Sequence, residues 1–126
     1  MDASGIVTKQ SQFSVKETID RLETLLIEKG VTIYARIDQQ HEALKAGLTL
    51  HPIELLVFGN PKAGVPIMAA NPLAAIDLPI KALAWQDGDN KVWLSHNTHG
   101  YIQQRFGLPD DLAQKINVAA LVEQAL

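Results

Sequence analysis

The chain has 126 residues, enough for one core and too few for two domains of ordinary size. Apolar residues are 47% and charged residues 20%, a globular balance, and eleven Lys and Arg against fourteen Asp and Glu leave a formal charge of −3. No basic run supports nucleic-acid binding, and the lack of cysteine excludes disulfides, thiolate metal sites and Cys nucleophiles.

Residues 1–13 have no basic start, apolar core and cleavage site of the kind a signal peptide needs. The charge-free stretch from Ala63 to Ile76 is broken by Pro66 and Pro72. It is also shorter than the roughly 18–20 apolar residues of a spanning helix. A cytoplasmic protein without membrane contact is expected.

Ile6 to Phe13 reads as a first strand. Ser14 and Glu17 form a capping box, and Val15, Ile19, Leu22 and Leu26 recur at helical spacing up to the stop at Gly30. Val31 to Asp38 alternates with period two, which predicts a strand with Val31, Ile33, Ala35 and Ile37 on one face. Thr32, Tyr34, Arg36 and Asp38 are then expected on the outer face. A short helix from Gln39 to Ala46 ends at Gly47, and the apolar run Glu54 to Phe58 predicts a more central strand.

Gly59 to Gly64 reads as a turn-rich loop, with Pro66 at the first position of a helix reaching about Asn71. The segment from Pro72 to Pro79 has no clear pattern. Ile80 to Gln86 and Lys91 to His96 predict two strands joined by the hairpin turn Asp87 to Asn90. A short helix is expected from His99 to Arg105, stopping at Gly107, and a longer one after Pro109. This mixture of hairpins and crossovers predicts an α+β two-layer sandwich, with a mainly antiparallel sheet and helices on one face. No repeat or linker divides the chain, so residues 1–126 form a single domain in this reading.

Gly59 and Gly64 have the spacing of a phosphate-binding loop, but Val65 and Pro66 stand where that motif needs Lys and Ser or Thr. Nucleoside triphosphate chemistry is therefore not expected. What survives is a small anion held by Lys62 beside a helix N-terminus. His41, His51, His96 and His99 have no recognised metal-ligand spacing, so neither a metal nor another cofactor is expected. Arg36 and Asp38 share a strand face as an expected surface ion pair. Trp85 and Trp93 flank the hairpin, either as cross-strand packing or as one wall of a ligand cleft with Tyr34 and Phe58 as neighbours. The last helix is apolar nearly all round, from Ile116 to Leu126, which predicts a homodimer.

These residues resemble those of the domain of unknown function 302 family. The resemblance rests on Tyr34 to Asp38, Glu54 to Gly64, Asp77 to Lys81, Trp85 with Asp87, and Val92 with Trp93. It implies a compact α+β protein that tends to dimerise, and it implies no activity, substrate or cofactor. Gln39 stands where such proteins often carry His, and His96 where Tyr is common.

Three functions follow as expectations. The first is a homodimer that binds a small molecule or small anion through Arg36, Asp38, Gly59, Asn60, Lys62, Gly64, Trp85 and Trp93. The second is an enzyme using Asp38, Glu54 or Lys62 as acid or base. The third is a structural or protein-interaction module.

Overall fold

The computed structural model describes residues 5–126. Five strands form one antiparallel sheet: β1 (Ile6–Ser11), β2 (Thr32–Asp38), β3 (Ile53–Gly59), β4 (Ile80–Gln86) and β5 (Val92–Asn97). Their spatial order is β1-β5-β4-β3-β2, so β2 is an edge strand and β4 is central. Helices α1 (Val15–Glu28), α2 (Gln39–Lys45), α3 (Pro61–Ala70), α4 (His99–Phe106), α5 (Asp110–Gln114) and α6 (Ala119–Ala125) accompany the sheet. The architecture is the expected α+β sandwich with helices on one face.

Helix α1 shows how the sequence builds the core. Ser14 caps it by accepting from the Glu17 N–H at 3.1 Å, and Gly30 leaves it in the left-handed conformation at φ 76°. Val15, Ile19, Leu22 and Leu26 are all buried, as their spacing predicts. Each such side chain contributes about 1.5–3 kcal/mol of burial. They meet Leu56 and Phe58 of β3, Ala82 and Ala84 of β4 and Leu94 of β5 in one cluster.

The structure departs from the sequence reading in four places. In β2, Ile33 pairs with Phe58 and Ala35 with Val57, so the extra residue, Tyr34, forms a bulge. The bulge resets the alternation. Ile33 stays on the helical side, but Ala35 and Ile37 turn to the open face, and Arg36 turns inward toward α1. The expectation of an all-polar outer face for this strand fails for that reason.

Second, the Gly59 to Gly64 segment is not a loop. Gly59 ends β3, Asn60 caps α3 by accepting from the Lys62 N–H at 3.0 Å, and Pro61 is the first helical residue. Lys62 and Gly64 lie in the first helical turns, and Pro66 sits inside the helix rather than at its start. Asn60-Pro61 is the better start signal, because it supplies cap and N1 proline together. Third, the unassigned segment holds a 3-10 turn at Pro72–Ile76, capped by Asn71, followed by a cis Leu78–Pro79 peptide.

Fourth, the long C-terminal helix is two short ones, α5 and α6. Asn117 breaks them by accepting from the Ala119 N–H at 3.1 Å. The change of direction lets Ile116, Val122 and Ala125 all reach the core, with Val118, Leu121 and Leu126 packed against it. Its apolar residues are thus taken up within the chain, and the exposed positions of α6 are Ala119, Ala120, Glu123 and Gln124. The helix no longer argues for a partner.

Candidate functional site

The residues expected to share one site fall into three places. Strand β3 separates them: Gly59 ends it at the α3 side, whereas Ile53 at the other end pairs with Trp85. Six residues of strand span about 20 Å, so the Gly59 end and the tryptophans cannot line one small pocket.

The first place is the Arg36 cluster beneath α1. The guanidinium donates from Nε to Glu54 at 2.7 Å, from Nη1 to Asp20 at 2.7 Å and Glu23 at 3.1 Å, and from Nη2 to the Lys16 carbonyl at 3.2 Å. Four of its five N–H bonds are used within the chain. Burial lowers the Arg36 pKa, but hydrogen bonds to Glu54 and Asp20 outweigh it and leave the group above the ordinary arginine value. Hydrogen bonds from Lys16 and Arg36 hold the Asp20 carboxyl below its usual range. Arg36 is therefore the hub of a structural network. The expected surface pair with Asp38 does not form, since Asp38 caps α2 through the His41 N–H at 2.9 Å.

The second place is a cleft of about 180 Å³ at the end of β3. Gly59, Asn60 and Gly64 line it, as the sequence reading grouped them. Its other walls are the Tyr34 ring, Met68, Leu78 and Pro79. Lys62 is exposed and is not among the lining residues. The surface is mostly carbon, which suits an apolar ligand better than an anion. Tyr34 reaches the cleft because of the bulge, and Met68 because α3 begins at Pro61. The sequence reading missed Met68, and it set Tyr34 beside the tryptophans rather than beside Gly59.

The third place is the open face of the sheet. Trp85 and Trp93 are cross-strand partners with ring centroids 6.3 Å apart and planes at 29°. The Trp85 indole donates to Ser95 Oγ at 2.9 Å, and Ser95 in turn bonds the Thr8 hydroxyl at 2.8 Å. The Trp93 indole donates to Asp87 at 2.8 Å, which lowers the Asp87 pKa with help from the Lys91 and Asp89 backbone N–H groups. Both polar handles are thus occupied. Leu83 pairs with Leu55, and Leu55 with Ile37, so aliphatic side chains continue the face across three strands.

Asp38 and Glu54 are partners across β2 and β3 and line one groove with Ser14 and Lys16, whereas Lys62 lies apart on α3. Both carboxylates there are engaged, Asp38 as the α2 cap and Glu54 with Arg36, and among the described residues no group of three His, Cys, Asp or Glu could hold a metal. No helix among them is long and apolar enough to cross a membrane.

Comparison with known proteins adds three findings. A family model described as domain of unknown function DUF302 matches residues 7–125. The chain is 44% identical over 117 residues to fluoride-specific ion channel FluC 1 of Brucella suis biovar 1 (strain 1330), covering 91% of this chain and 46% of that protein. Fluoride-specific ion channel FluC 2 of Brucella melitensis biotype 1 is equally similar, at 44% identity and with 43% of its length covered. The chain thus spans less than half of the curated relatives it matches. An uncharacterized conserved DUF302 protein from Bacillus stearothermophilus has the same fold in its crystal structure, with a TM-score of 0.86 at 21% identity. That superposition covers 98% of this chain and 100% of the other.

Proposed function

Because this chain belongs to the DUF302 family, a family of unknown function, we propose from its geometry that it is a small-molecule-binding module working as a homodimer. The carbon-walled cleft between Tyr34, Asn60 and Pro79 carries the ligand part of this reading. A carbon-walled cleft beside a capped helix start suits a small apolar molecule with one polar atom facing Asn60. The anion version has weaker support, because Arg36 is committed to carboxylates and Lys62 lies outside the cleft.

The dimer part rests on the open sheet face. Ile37, Leu55, Leu83 and the two stacked indoles form a surface whose indole N–H groups are already bonded inside the chain. Such a face gains by packing on another apolar face, and two sheets about 10 Å apart are the standard arrangement. A second copy supplies that face by symmetry.

A thermal-shift screen of small apolar compounds tests the ligand reading, with Gly64→Met as the control. A Cβ at Gly64 would lie 3.9 Å from the Met68 side chain, in ordinary contact, so a longer side chain there fills the cleft without a backbone clash. Ligands that raise the melting temperature of the native chain and not of Gly64→Met support it. No shift with any compound sinks it.

A second reading draws on the Brucella relatives, whose names make them fluoride channels. In it, the present chain is a module that accompanies fluoride transport across a membrane. Cells lacking the chain should then be more sensitive to fluoride, and unchanged growth in fluoride would dismiss it.

A further inference from the structure

His96 is a histidine that the cleft, the Arg36 cluster and the open face all leave unused. In β5 it pairs with Ala82 of β4 and turns to the helical side, where it is 7% exposed. Its Nδ1 lies 2.9 Å from the carbonyl oxygen of Asn97. A carbonyl can only accept, so Nδ1 carries the proton and, in the neutral ring, Nε2 presents a lone pair. Nε2 has no hydrogen-bond partner among the described residues. No fully buried side-chain nitrogen or oxygen lacks a partner, so Nε2 keeps contact with open space.

On the helical side to which it turns, His96 lines a cavity of about 330 Å³ between the β1–β5 edge of the sheet and α6. Val7, Ala119 and Val122 supply carbon walls, and Thr98 and Asn117 supply polar atoms. The Thr98 oxygen accepts from the Tyr101 N–H and the Asn117 carbonyl oxygen from the Ala119 N–H, so each keeps a hydrogen to donate. Lys9 and Glu123, also on the lining, pair with each other and cancel in charge. His99 is the remaining titratable group there.

We infer that this cavity is a second ligand site, separate from the Tyr34 cleft, and that it takes a small undissociated weak acid with an apolar body. A carboxylic acid matches each feature. Its O–H donates to His96 Nε2, its second oxygen accepts from Thr98 or Asn117, and its hydrocarbon part lies against Val7 and Val122. The acid enters with its proton, which passes to or is shared with His96 Nε2, so binding adds no net charge to a lining that has none.

Benzoic acid is the probe, titrated into the full chain while the imidazole signals of His96 are followed by NMR. The expected result is saturable binding that moves the His96 signals. His96→Phe, which keeps the volume and removes the acceptor, should weaken binding at least tenfold. Ala119→Phe, which fills the cavity from an exposed helix position and leaves the His96 side chain itself unchanged, should do the same. Circular dichroism and thermal melting establish that both variants are folded, and the Ala119 variant keeps the test valid if His96→Phe is not.

Benzyl alcohol, which has the donor without the acid's second oxygen, should bind at least tenfold more weakly than benzoic acid. Equal binding by the alcohol, unchanged affinity in either folded variant, or no movement of the His96 signals overturns the proposal. So does sodium fluoride alone moving those signals, since it lacks an apolar body. Benzoic acid binding that Gly64→Met abolishes would assign the acid to the Tyr34 cleft and overturn this site while leaving the other standing.

Discussion

The two faces of the sheet treat polar groups in opposite ways. On the helical face, an arginine is drawn inward and surrounded by Asp20, Glu23 and Glu54, with Glu54 only 8% exposed. On the open face, the indole N–H groups turn to Ser95 and Asp87 within the chain and leave hydrocarbon outward. The first face holds the fold together through burial plus charge pairing. The second is the surface that the proposed homodimer would cover.

Substitution on the two faces should therefore separate stability from association. The largest expected effect is Phe58→Ala, a fully buried ring on the helical face, which should cost about 3–5 kcal/mol in urea unfolding. Leu83→Asp on the open face should leave the chain folded and convert a dimer to monomer in sedimentation velocity. A Leu83→Asp chain that unfolds, or that sediments as the native chain does, would break the contrast.

Arg36→Met should come next, because it leaves three carboxylates facing each other. Breaking a buried pair costs about 3–5 kcal/mol; with the Arg36 side chain 24% exposed, about 2 kcal/mol is expected here. Adding Glu54→Gln to Arg36→Met should recover part of that loss, and a double variant no more stable than the single one would mean the carboxylates do not repel.

Acid should act on the same network. Asp20 and Asp87 titrate below the ordinary carboxylate value of 3.8 in the folded chain, so the unfolded chain binds more protons. The stability they add is present above that value and lost as pH falls through their lower folded values. Urea midpoints should be flat from about pH 7 to 5 and fall below about pH 4. Arg36→Met should flatten that fall by removing one cause of the Asp20 shift.

The smallest effect belongs to the hairpin. Asp87→Asn weakens the acceptor for the Trp93 indole, and tryptophan emission should shift while the fold persists. An identical spectrum would mean the Trp93 bond does not persist in solution.

Local patterns carried much of this structure. The α1 stripe from Val15 to Leu26, the cap at Ser14, the stop at Gly107 and the Trp85–Trp93 hairpin each depend on neighbours in sequence, and each was readable. The grouping of Gly59, Asn60 and Gly64 was readable too, because they fall within one six-residue segment. The joining of those residues to Arg36, Asp38 and the tryptophans was not. Strand direction and register set those distances, and neither is written in one segment.

By itself the sequence determined the composition class, most element positions and the α+β arrangement, since these follow from periodicity, caps and turn residues. Tertiary structure decided which way the side chains of β2 face. One extra residue at Tyr34, set by pairing with Phe58 and Val57, sent Arg36 inward and Ile37 outward. It also brought the Tyr34 ring to the cleft. Period two says that side chains alternate; only the partner strand says to which side.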